Sequence, residues 1–422
     1  MITLNVKKTL ILLFKKTKIL SLVISIFSLS KSYRLIKYKQ FLLTISKHSN
    51  GKSNFFLDAT VLTRHDAGGG IQRVQKQLIL AALKSQNSNL NIHPCYFDGS
   101  RFRFYPKNLD INDIPNCINE NNKVVEFADN DIYLSLDLDY KFVTCNQKLY
   151  NLFSENGIKV FFMIYDLLPL EYPEFFPTGI SEWHSKWLKI VIEYDGLICI
   201  SETVKIKMLT WLDMNYEDHK IKSSIHSVKL GSNPSDNAER IARAERSIIH
   251  KFIMVGTLEP RKGHLHVLKT FDEIWRSGIK CQLIIIGKKG WGVDSLEQDI
   301  TNHYQFNKSL IWINNASDEE LFINLNQSSA LIAASIDEGF GLPLVESARF
   351  GLPIIARDIP IFREIMGDLP KYFSDTPELD LKSVVLEFIS GSNLRKDKSY
   401  NLSFQTCDNC LTEIVTLMAN NG

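Results

Sequence analysis

Short apolar runs alternate with longer amphipathic stretches along most of the chain from about residue 55. This alternation predicts repeated β-α-β units, in which helices cover both faces of a mostly parallel sheet. The predicted strands fall into two series separated by a polar stretch. The first lies at residues 55–57, 132–136, 160–165 and 197–200, and the second at residues 252–255, 283–286, 310–313, 330–334 and 353–356.

Two series of strands predict two Rossmann-like, doubly wound α/β domains, which suits a chain of 422 residues that is too long for one compact core. We expect the domains at residues 51–228 and 229–400, with a hinge at residues 229–245, where Gly231 and Pro234 lie among charged residues. Residues 401–422 are predicted to form a C-terminal helix that can return to the first domain.

Basic residues are concentrated at the start of the sequence. Residues 1–52 contain eleven Lys or Arg and no acidic residue, so the remainder has 38 basic and 47 acidic residues. This distribution argues against nucleic-acid binding and favours contact of residues 1–50 with an anionic membrane surface. The longest nearly apolar stretch, at residues 19–29, is too short to span a bilayer. A signal peptide and a helix packed on the body of the protein are the alternatives for this arm.

Cysteine usage bears on the compartment. Seven cysteines scattered over a long chain do not resemble a disulfide framework, which favours a reducing, cytoplasmic environment. Cys407 and Cys410 form one C-x-x-C pair, whereas a structural zinc site needs four ligands. We therefore expect helix packing there and no metal.

The segment from Ser335 to Glu346, SIDEGFGLPLVE, follows a predicted strand and opens a predicted helix. Its glycines allow the backbone to approach a ligand closely, and free N–H groups at a helix start favour an anion. Glu338 and Glu346 lie eight positions apart, roughly 10–12 Å along a helix, which suits an extended ligand contacted at both ends. By spacing alone, a helix cap and a surface charge explain them equally well.

The wider setting, EGFGLPLVESARFGLPIIARDIPIFREI, closely resembles the donor-site motif of the GT-B glycosyltransferases of family 4. Upstream, GTLEPRKG at residues 256–263 is similar to that family's phosphate loop, and LIIIGKKGW at residues 283–291 is similar to its next strand and turn. The resemblance implies a GT-B fold and a retaining glycosyltransferase that uses a nucleotide sugar.

The resemblance also implies residue roles. Glu346 would bind the donor ribose and Glu338 the transferred sugar, while Lys262 would bind the diphosphate and stabilise the leaving group. The backbone of Gly339, Phe340 and Gly341 would approach the sugar and phosphate. Many relatives have an arginine where this chain has Thr257, and Arg261 is the candidate to replace it or else a solvated loop charge.

In the first half, GGGIQRV at residues 68–74 resembles the glycine loop that faces donor phosphate and acceptor across the cleft, with Gly70 and Arg73 as donor contacts. A plain turn is the alternative for these glycines. Tyr165-Asp166-Leu167-Leu168-Pro169 resembles a segment in which relatives often have histidine before the aspartate. Asp166 is the candidate to orient the acceptor hydroxyl, with capping of the next turn as the alternative. Ser201 and Glu202 are expected to cap a helix, and Asp137 and Asp139 to mark a strand end.

Together with the basic arm and the cysteine usage, the resemblance implies transfer of a hexose to a membrane-linked glycan at the cytoplasmic face of the inner membrane, without metal or cofactor. The resemblance favours mannose or rhamnose, with GDP-mannose as the leading donor and a dTDP- or UDP-sugar as the alternative. A nucleotide-sugar 2-epimerase and a non-catalytic scaffold of a glycan assembly complex are rival functions with the same architecture. A Rossmann oxidoreductase is disfavoured, because residues 68–74 do not fit the G-x-G-x-x-G spacing.

Overall fold

A computed structural model gives the architecture of the chain. It describes residues 53–66, 68–85, 91–110, 114, 117–119, 121–216, 222–231, 249–376, 379–391 and 404–421. The basic arm at residues 1–50 and most of the expected hinge lie outside these residues, so the predictions made for them stay predictions.

The N-terminal domain contains a seven-stranded sheet in the order β3-β2-β1-β4-β5-β6-β7. Neighbouring strands run parallel except for β3, which is antiparallel to β2 at the edge. The strands are β1 (Phe55–Asp58), β2 (Ile92–Phe97), β3 (Phe102–Phe104), β4 (Ile132–Ser135), β5 (Lys159–Ile164), β6 (Gly196–Cys199) and β7 (Ser224–Ser227).

Six described helices connect these strands and cover the sheet. They are α1 (Gly70–Ser85), α2 (Tyr140–Cys145), α3 (Gln147–Glu155), α4 (Leu168–Glu171), α5 (Ile180–Val191) and α6 (Glu202–Asn215).

The C-terminal domain contains a six-stranded sheet in the order β10-β9-β8-β11-β12-β13, and all its neighbouring strands are parallel. Its strands are β8 (His250–Val255), β9 (Cys281–Ile286), β10 (Leu310–Ile313), β11 (Ala330–Ala333), β12 (Ile354–Arg357) and β13 (Lys371–Phe373). The helices on its faces are α7 (His264–Arg276), α8 (Asp294–Thr301), α9 (Asp318–Gln327), α10 (Leu342–Arg349), α11 (Pro360–Met366) and α12 (Leu381–Ser390).

Burial explains which strands the apolar pattern predicts. The central strands β1, β4 and β6 are buried at every position, as expected when helices cover both faces of a parallel sheet. All nine predicted strands are present, with ends shifted by at most two residues. The four strands that the pattern missed are β2, β3, β7 and β13; β7 is only partly buried along its whole length.

The last described helix, α13 (Cys407–Asn420), returns to the N-terminal domain and packs against α1. Its buried face, which includes Cys407, Cys410 and Leu411, belongs to the same apolar core as the first sheet. Thr406 caps the helix by accepting a hydrogen bond from the Asn409 amide. In the part of the chain that the structure describes, none of the helices combines the length and the apolarity that a membrane span requires.

Candidate active site

The two sheets turn the carboxyl ends of their strands toward a common cleft, and the loop of residues 334–341 lies where the domains meet. This loop leaves β11 and ends at Gly341, whose φ of 112° is a left-handed conformation that glycine adopts without strain. At Gly339 a Cβ atom would lie only 2.0 Å from the carbonyl oxygen of Tyr165 in the other domain. A side chain is therefore excluded at Gly339, and the backbone of the loop contacts the N-terminal domain directly.

Glu338 lies in this loop between two cations. Its carboxylate accepts hydrogen bonds from Lys262 Nζ and, at 3.1 Å, from Arg261 Nη1, and Ser335 Oγ donates a further bond of 2.7 Å. Burial alone would raise its pKa, but the charges of Lys262 and Arg261 outweigh this effect and lower it to about 2. Glu338 is thus an ionised, well-oriented acceptor at neutral pH.

Lys262 and Arg261 are brought to Glu338 by a tight turn after β8. Pro260, Arg261 and Lys262 form one 3-10 turn, and Gly263 continues it with a φ of 75°. The Ile336 amide donates to the Arg261 carbonyl at 2.8 Å, so backbone contacts fix the turn against the loop that contains Glu338. These contacts hold both cations next to the loop of residues 334–341, which we call the donor loop after the role that the family resemblance implies.

Glu346 lies one turn inside α10 and faces the N-terminal domain. Its carboxylate accepts two hydrogen bonds from the Arg73 guanidinium, one of which measures 3.3 Å, in a bidentate pair that joins α10 to α1. The Arg73 side chain is 35% exposed and that of Glu346 14% exposed. A ribose at Glu346 would therefore lie beside a cation supplied by the opposite domain.

The glycine loop that precedes Arg73 forms the start of α1. Gly68 has a φ of 69° and its amide donates to the Asp66 carboxylate at 2.9 Å, while Gly70 begins the helix. Asp66 also pairs with Lys76 on α1. A Cβ atom at Gly68 would lie 3.6 Å from Nζ of Lys288 in the C-terminal domain, so this loop also reaches across the cleft.

Asp166 follows β5 and lies against the donor loop. Its Cβ atom would be 3.3 Å from a Cβ placed at Gly339, and its carboxylate accepts a hydrogen bond of 3.2 Å from the Leu168 amide. Burial raises its pKa, although the nearby Arg261 charge partly opposes this. Tyr165, where relatives often have histidine, is buried, and its hydroxyl donates to the Leu136 carbonyl at 2.8 Å.

Sequence reasoning missed the polar contacts by which the N-terminal domain holds the donor loop. Ser201 caps α6, as expected, and its hydroxyl also donates to the Gly339 carbonyl at 3.0 Å. Lys207, on the same helix, pairs with Asp337 directly before Glu338, and with Glu171 at 2.8 Å. No local signal in the sequence connects Lys207 to Asp337, since 130 positions separate them.

A further cross-domain contact holds the start of α6. The Glu364 carboxylate, on α11, accepts hydrogen bonds from the amides of Glu202 and Thr203 at 2.8 and 2.7 Å. A carboxylate at a helix N-terminus satisfies free N–H groups and interacts favourably with the helix dipole. The C-terminal domain therefore supplies part of the cap of an N-terminal helix.

Asp137 and Asp139 serve the fold at the end of β4. Asp139 caps α2 through the Phe142 amide at 2.9 Å. Asp137 is buried and accepts hydrogen bonds from the Val61 amide and the Gln75 side chain. Both residues thus act as the sequence predicted for a strand end.

A known protein family matches most of the C-terminal half of the chain. Residues 238–402 match the model of the family described as glycosyl transferases group 1. The C-terminal domain belongs to this family. The match contains the Lys262 turn, the loop with Glu338, and Glu346.

Similarity to individual proteins extends over more of the chain. It is 36% identical over 349 residues to the serotype-specific mannosyltransferase WbdA of Escherichia coli, which covers 79% of this chain and 42% of that protein. It is 26% identical over 223 residues to the O-antigen chain mannosyltransferase RfbU of Salmonella typhimurium, covering 53% of this chain and 58% of the relative. The chain thus spans less than half the length of WbdA.

Solved structures with the same architecture confirm the predicted GT-B fold. The catalytic domain of starch synthase IV from Arabidopsis thaliana, bound to ADP and acarbose, aligns with a TM-score of 0.59 at 12% identity, over 88% of this chain and 99% of that one. The apo form of the lipopolysaccharide outer core galactosyltransferase WaaB aligns with a TM-score of 0.55 at 15% identity, over 87% and 99% of the two chains.

Proposed function

We propose that this chain is a retaining, metal-independent mannosyltransferase that transfers mannose from GDP-mannose to a membrane-linked glycan in surface polysaccharide synthesis. The observation that carries the proposal is the cluster in which Glu338 is bound by Lys262 and Arg261 directly opposite Asp166. The names of the relatives WbdA and RfbU, both mannosyltransferases, support mannose as the sugar.

Each charged residue of the proposed donor site contacts a different part of the nucleotide sugar. Glu346, beside Arg73, accepts hydrogen bonds from the ribose hydroxyls, while Glu338 accepts them from the transferred sugar. The β-phosphate lies between Lys262 and the N-terminus of α10, where the glycine cap at Gly341 leaves amide groups available. Arg261 adds a second positive charge behind Glu338.

Transfer proceeds on the face of the sugar from which the diphosphate departs. The bond from the anomeric carbon to the β-phosphate oxygen breaks, and the acceptor oxygen bonds to that carbon on the same face. The acceptor proton passes to the departing phosphate, while Lys262 and the helix N-terminus stabilise its charge. Asp166 orients the acceptor hydroxyl from the opposite wall.

The test is incubation of the full chain with radiolabelled GDP-mannose and an octyl α-mannoside acceptor, with and without EDTA. We expect an α-linked disaccharide, identified by the one-bond coupling between the anomeric carbon and its proton, at a rate that EDTA leaves unchanged. An altered nucleotide sugar without transfer would identify the epimerase alternative, and a chain that neither turns over nor binds GDP would be the scaffold. A β-linked product would contradict retention.

We expect the enzyme to meet its acceptor at an anionic membrane surface on the cytoplasmic side. Residues 1–52 support this part of the proposal, because they contain eleven Lys or Arg between apolar runs and no acidic residue. Vesicles containing anionic lipid should bind the full chain in low salt and release it in high salt. Equal binding by a variant that lacks residues 1–50 would contradict it.

A further inference from the structure

Four partly exposed aromatic residues meet at the mouth of the cleft, and no step of the proposed reaction uses them. We call Tyr172, Phe175, Phe176 and Trp291 the aromatic rim. All four are intermediate in exposure, in contrast to fully buried rings of the N-terminal core such as Phe127. Exposed aromatic surface that borders a polar cleft commonly marks a binding site.

Both domains contribute to the aromatic rim. Tyr172, Phe175 and Phe176 belong to the turn that follows α4, after the carboxyl end of β5, and Trp291 lies beyond the carboxyl end of β9. The Tyr172 and Phe175 rings stack with their centroids 6.0 Å apart, and the rings of Phe176 and Trp291 lie 5.8 Å apart. Trp291 Nε1 donates a 2.7 Å hydrogen bond to the Phe175 carbonyl, which fixes the indole across the domain boundary.

The aromatic rim is continuous with the reactive centre. The Tyr172 hydroxyl lies close to Asp337, the residue directly before Glu338, and after burial the Asp337 charge is the main cause of the raised pKa of Tyr172. One continuous segment of the N-terminal domain, residues 166–176, contains both Asp166 and the three rings that this domain contributes to the rim. A chain of sugar units that leaves the transfer site in this direction would therefore pass over the rings.

The composition of this surface suits a glycan. A pyranose ring has an apolar C–H face that packs on an aromatic ring, while its hydroxyl groups point outward to polar partners. Aromatic faces supply apolar contact area at a low cost in side-chain entropy, because only two torsions are fixed. The exposed Glu174 lies in the same turn as the rings and offers a carboxylate acceptor for those hydroxyls.

We propose that the aromatic rim is an acceptor subsite that binds the pyranose units behind the reacting hydroxyl of a glycan. This inference rests on the proposed glycosyl transfer and adds to it that the enzyme prefers an oligosaccharide acceptor to a single sugar. The subsite spans both domains, so the acceptor chain is bound where the two walls meet.

The experiment compares octyl α-mannosides of one and four mannose units as acceptors for Phe176→Ala and Trp291→Ala in the full chain. We expect each variant to raise the KM for the four-unit acceptor about tenfold, because a stacked ring is lost. The KM for the one-unit acceptor and the affinity for GDP should change less than about twofold. Trp291→Phe keeps a ring without the hydrogen bond to Phe175, and should recover most of the affinity for the four-unit acceptor.

Tyr304→Ala is the matched control. Tyr304 is a 46% exposed aromatic residue that precedes β10, at the amino ends of the strands and away from the cleft. Its removal should leave both acceptors unaffected. An equal rise in KM for the one- and four-unit acceptors, or a parallel loss of GDP affinity, would overturn the proposal, since the rings would then only hold the domains together.

Direct binding separates this inference from the proposed function. Saturation-transfer NMR with the four-unit mannoside and the full chain needs no turnover. Signal in the wild type that Phe176→Ala abolishes and Tyr304→Ala retains would support the subsite, even if no mannose were transferred. Equal signal in the wild type and Phe176→Ala would overturn it.

Discussion

On the C-terminal side of the cleft, Lys262 and Arg261 lower the pKa of Glu338 to about 2 although burial acts to raise it, whereas burial raises the pKa of three carboxylates at or just after the ends of β1, β4 and β5 in the N-terminal domain. There burial raises the pKa of Asp58 to about 6, and it raises the pKa of Asp137 and Asp166 as well. The difference fits two tasks. In the proposed function, the charged side binds a donor that leaves as an anion, and the buried carboxyl groups of the other side contact uncharged hydroxyl groups.

The largest effect should follow loss of the cation on the donor wall. Lys262→Ala should lower the rate constant of transfer by about 10²–10³, because the charge on the departing diphosphate loses its main partner. Affinity for GDP-mannose should fall less than the rate. Single-turnover kinetics with labelled donor measure the change, and Lys269→Ala, which removes an exposed lysine of α7, should behave like the wild type. An unchanged rate in Lys262→Ala would make this residue a solvated loop charge.

The pH dependence of stability tests whether burial raises the pKa of the carboxylates in the N-terminal domain. The folded pKa of Asp58, about 6, lies above its ordinary value of 3.8 because burial outweighs hydrogen bonds from Thr60 and Tyr133. Its contribution to the free energy of unfolding is therefore fully present below about pH 4 and is lost as the pH rises through 6. When the pH rises from 4 to 8, the free energy of unfolding of the wild type should fall by up to about 3 kcal/mol more than that of Asp58→Asn.

Urea unfolding at pH 4, 6 and 8 measures this difference. The control is Asp299→Asn, which changes an exposed aspartate of α8 and should follow the wild type at each pH. Parallel pH profiles for Asp58→Asn and the wild type would contradict the contrast between the walls.

The two donor-wall glutamates should fail differently when neutralised. Glu346→Gln removes charge-assisted hydrogen bonds worth about 1.5–3 kcal/mol, so it should weaken GDP-mannose and bare GDP alike. Glu338→Gln should leave GDP affinity nearly unchanged and depress transfer, since its sugar partner is absent from GDP. Calorimetry with both ligands and a transfer assay give the comparison. Two variants that bind and react like the wild type would reduce both residues to helix charges.

A smaller effect should follow loss of the contact that joins the walls. Lys207→Met breaks the pair with Asp337 and should lower transfer about tenfold, in line with roughly 1–2 kcal/mol for a partly buried pair, while GDP binding persists. Lys205→Met, on the same helix, should have no such effect. Lys207→Arg keeps a cation for both Asp337 and Glu171 and should retain most of the rate. Loss of the rate together with GDP binding in Lys207→Arg would indicate a merely structural role.

Local patterns in the sequence determined the strand series and the donor motif, because each depends on residues close together in the chain. Apolar runs predict strands that are buried on both faces. The pattern missed the shorter or less buried β3, β7 and β13, and also the longer β2, whose apolar run is interrupted by His93 and Pro94. The loop with Glu338 and the turn with Lys262 each lie in one short segment, which is why their juxtaposition was expected from the family resemblance.

Only the tertiary structure decided which groups meet across the cleft. Arg73 and Glu346 are 273 positions apart, and Lys207 and Asp337 are 130 apart, so no local periodicity could pair them. The aromatic rim joins rings from two turns whose sequences predict only loops. Such contacts arise because parallel strands bring their carboxyl ends to one edge and two sheets turn those edges toward each other. Short segments of the sequence thus supply the reactive side chains of each wall. Which partner each side chain meets on the opposite wall depends on how the two domains pack.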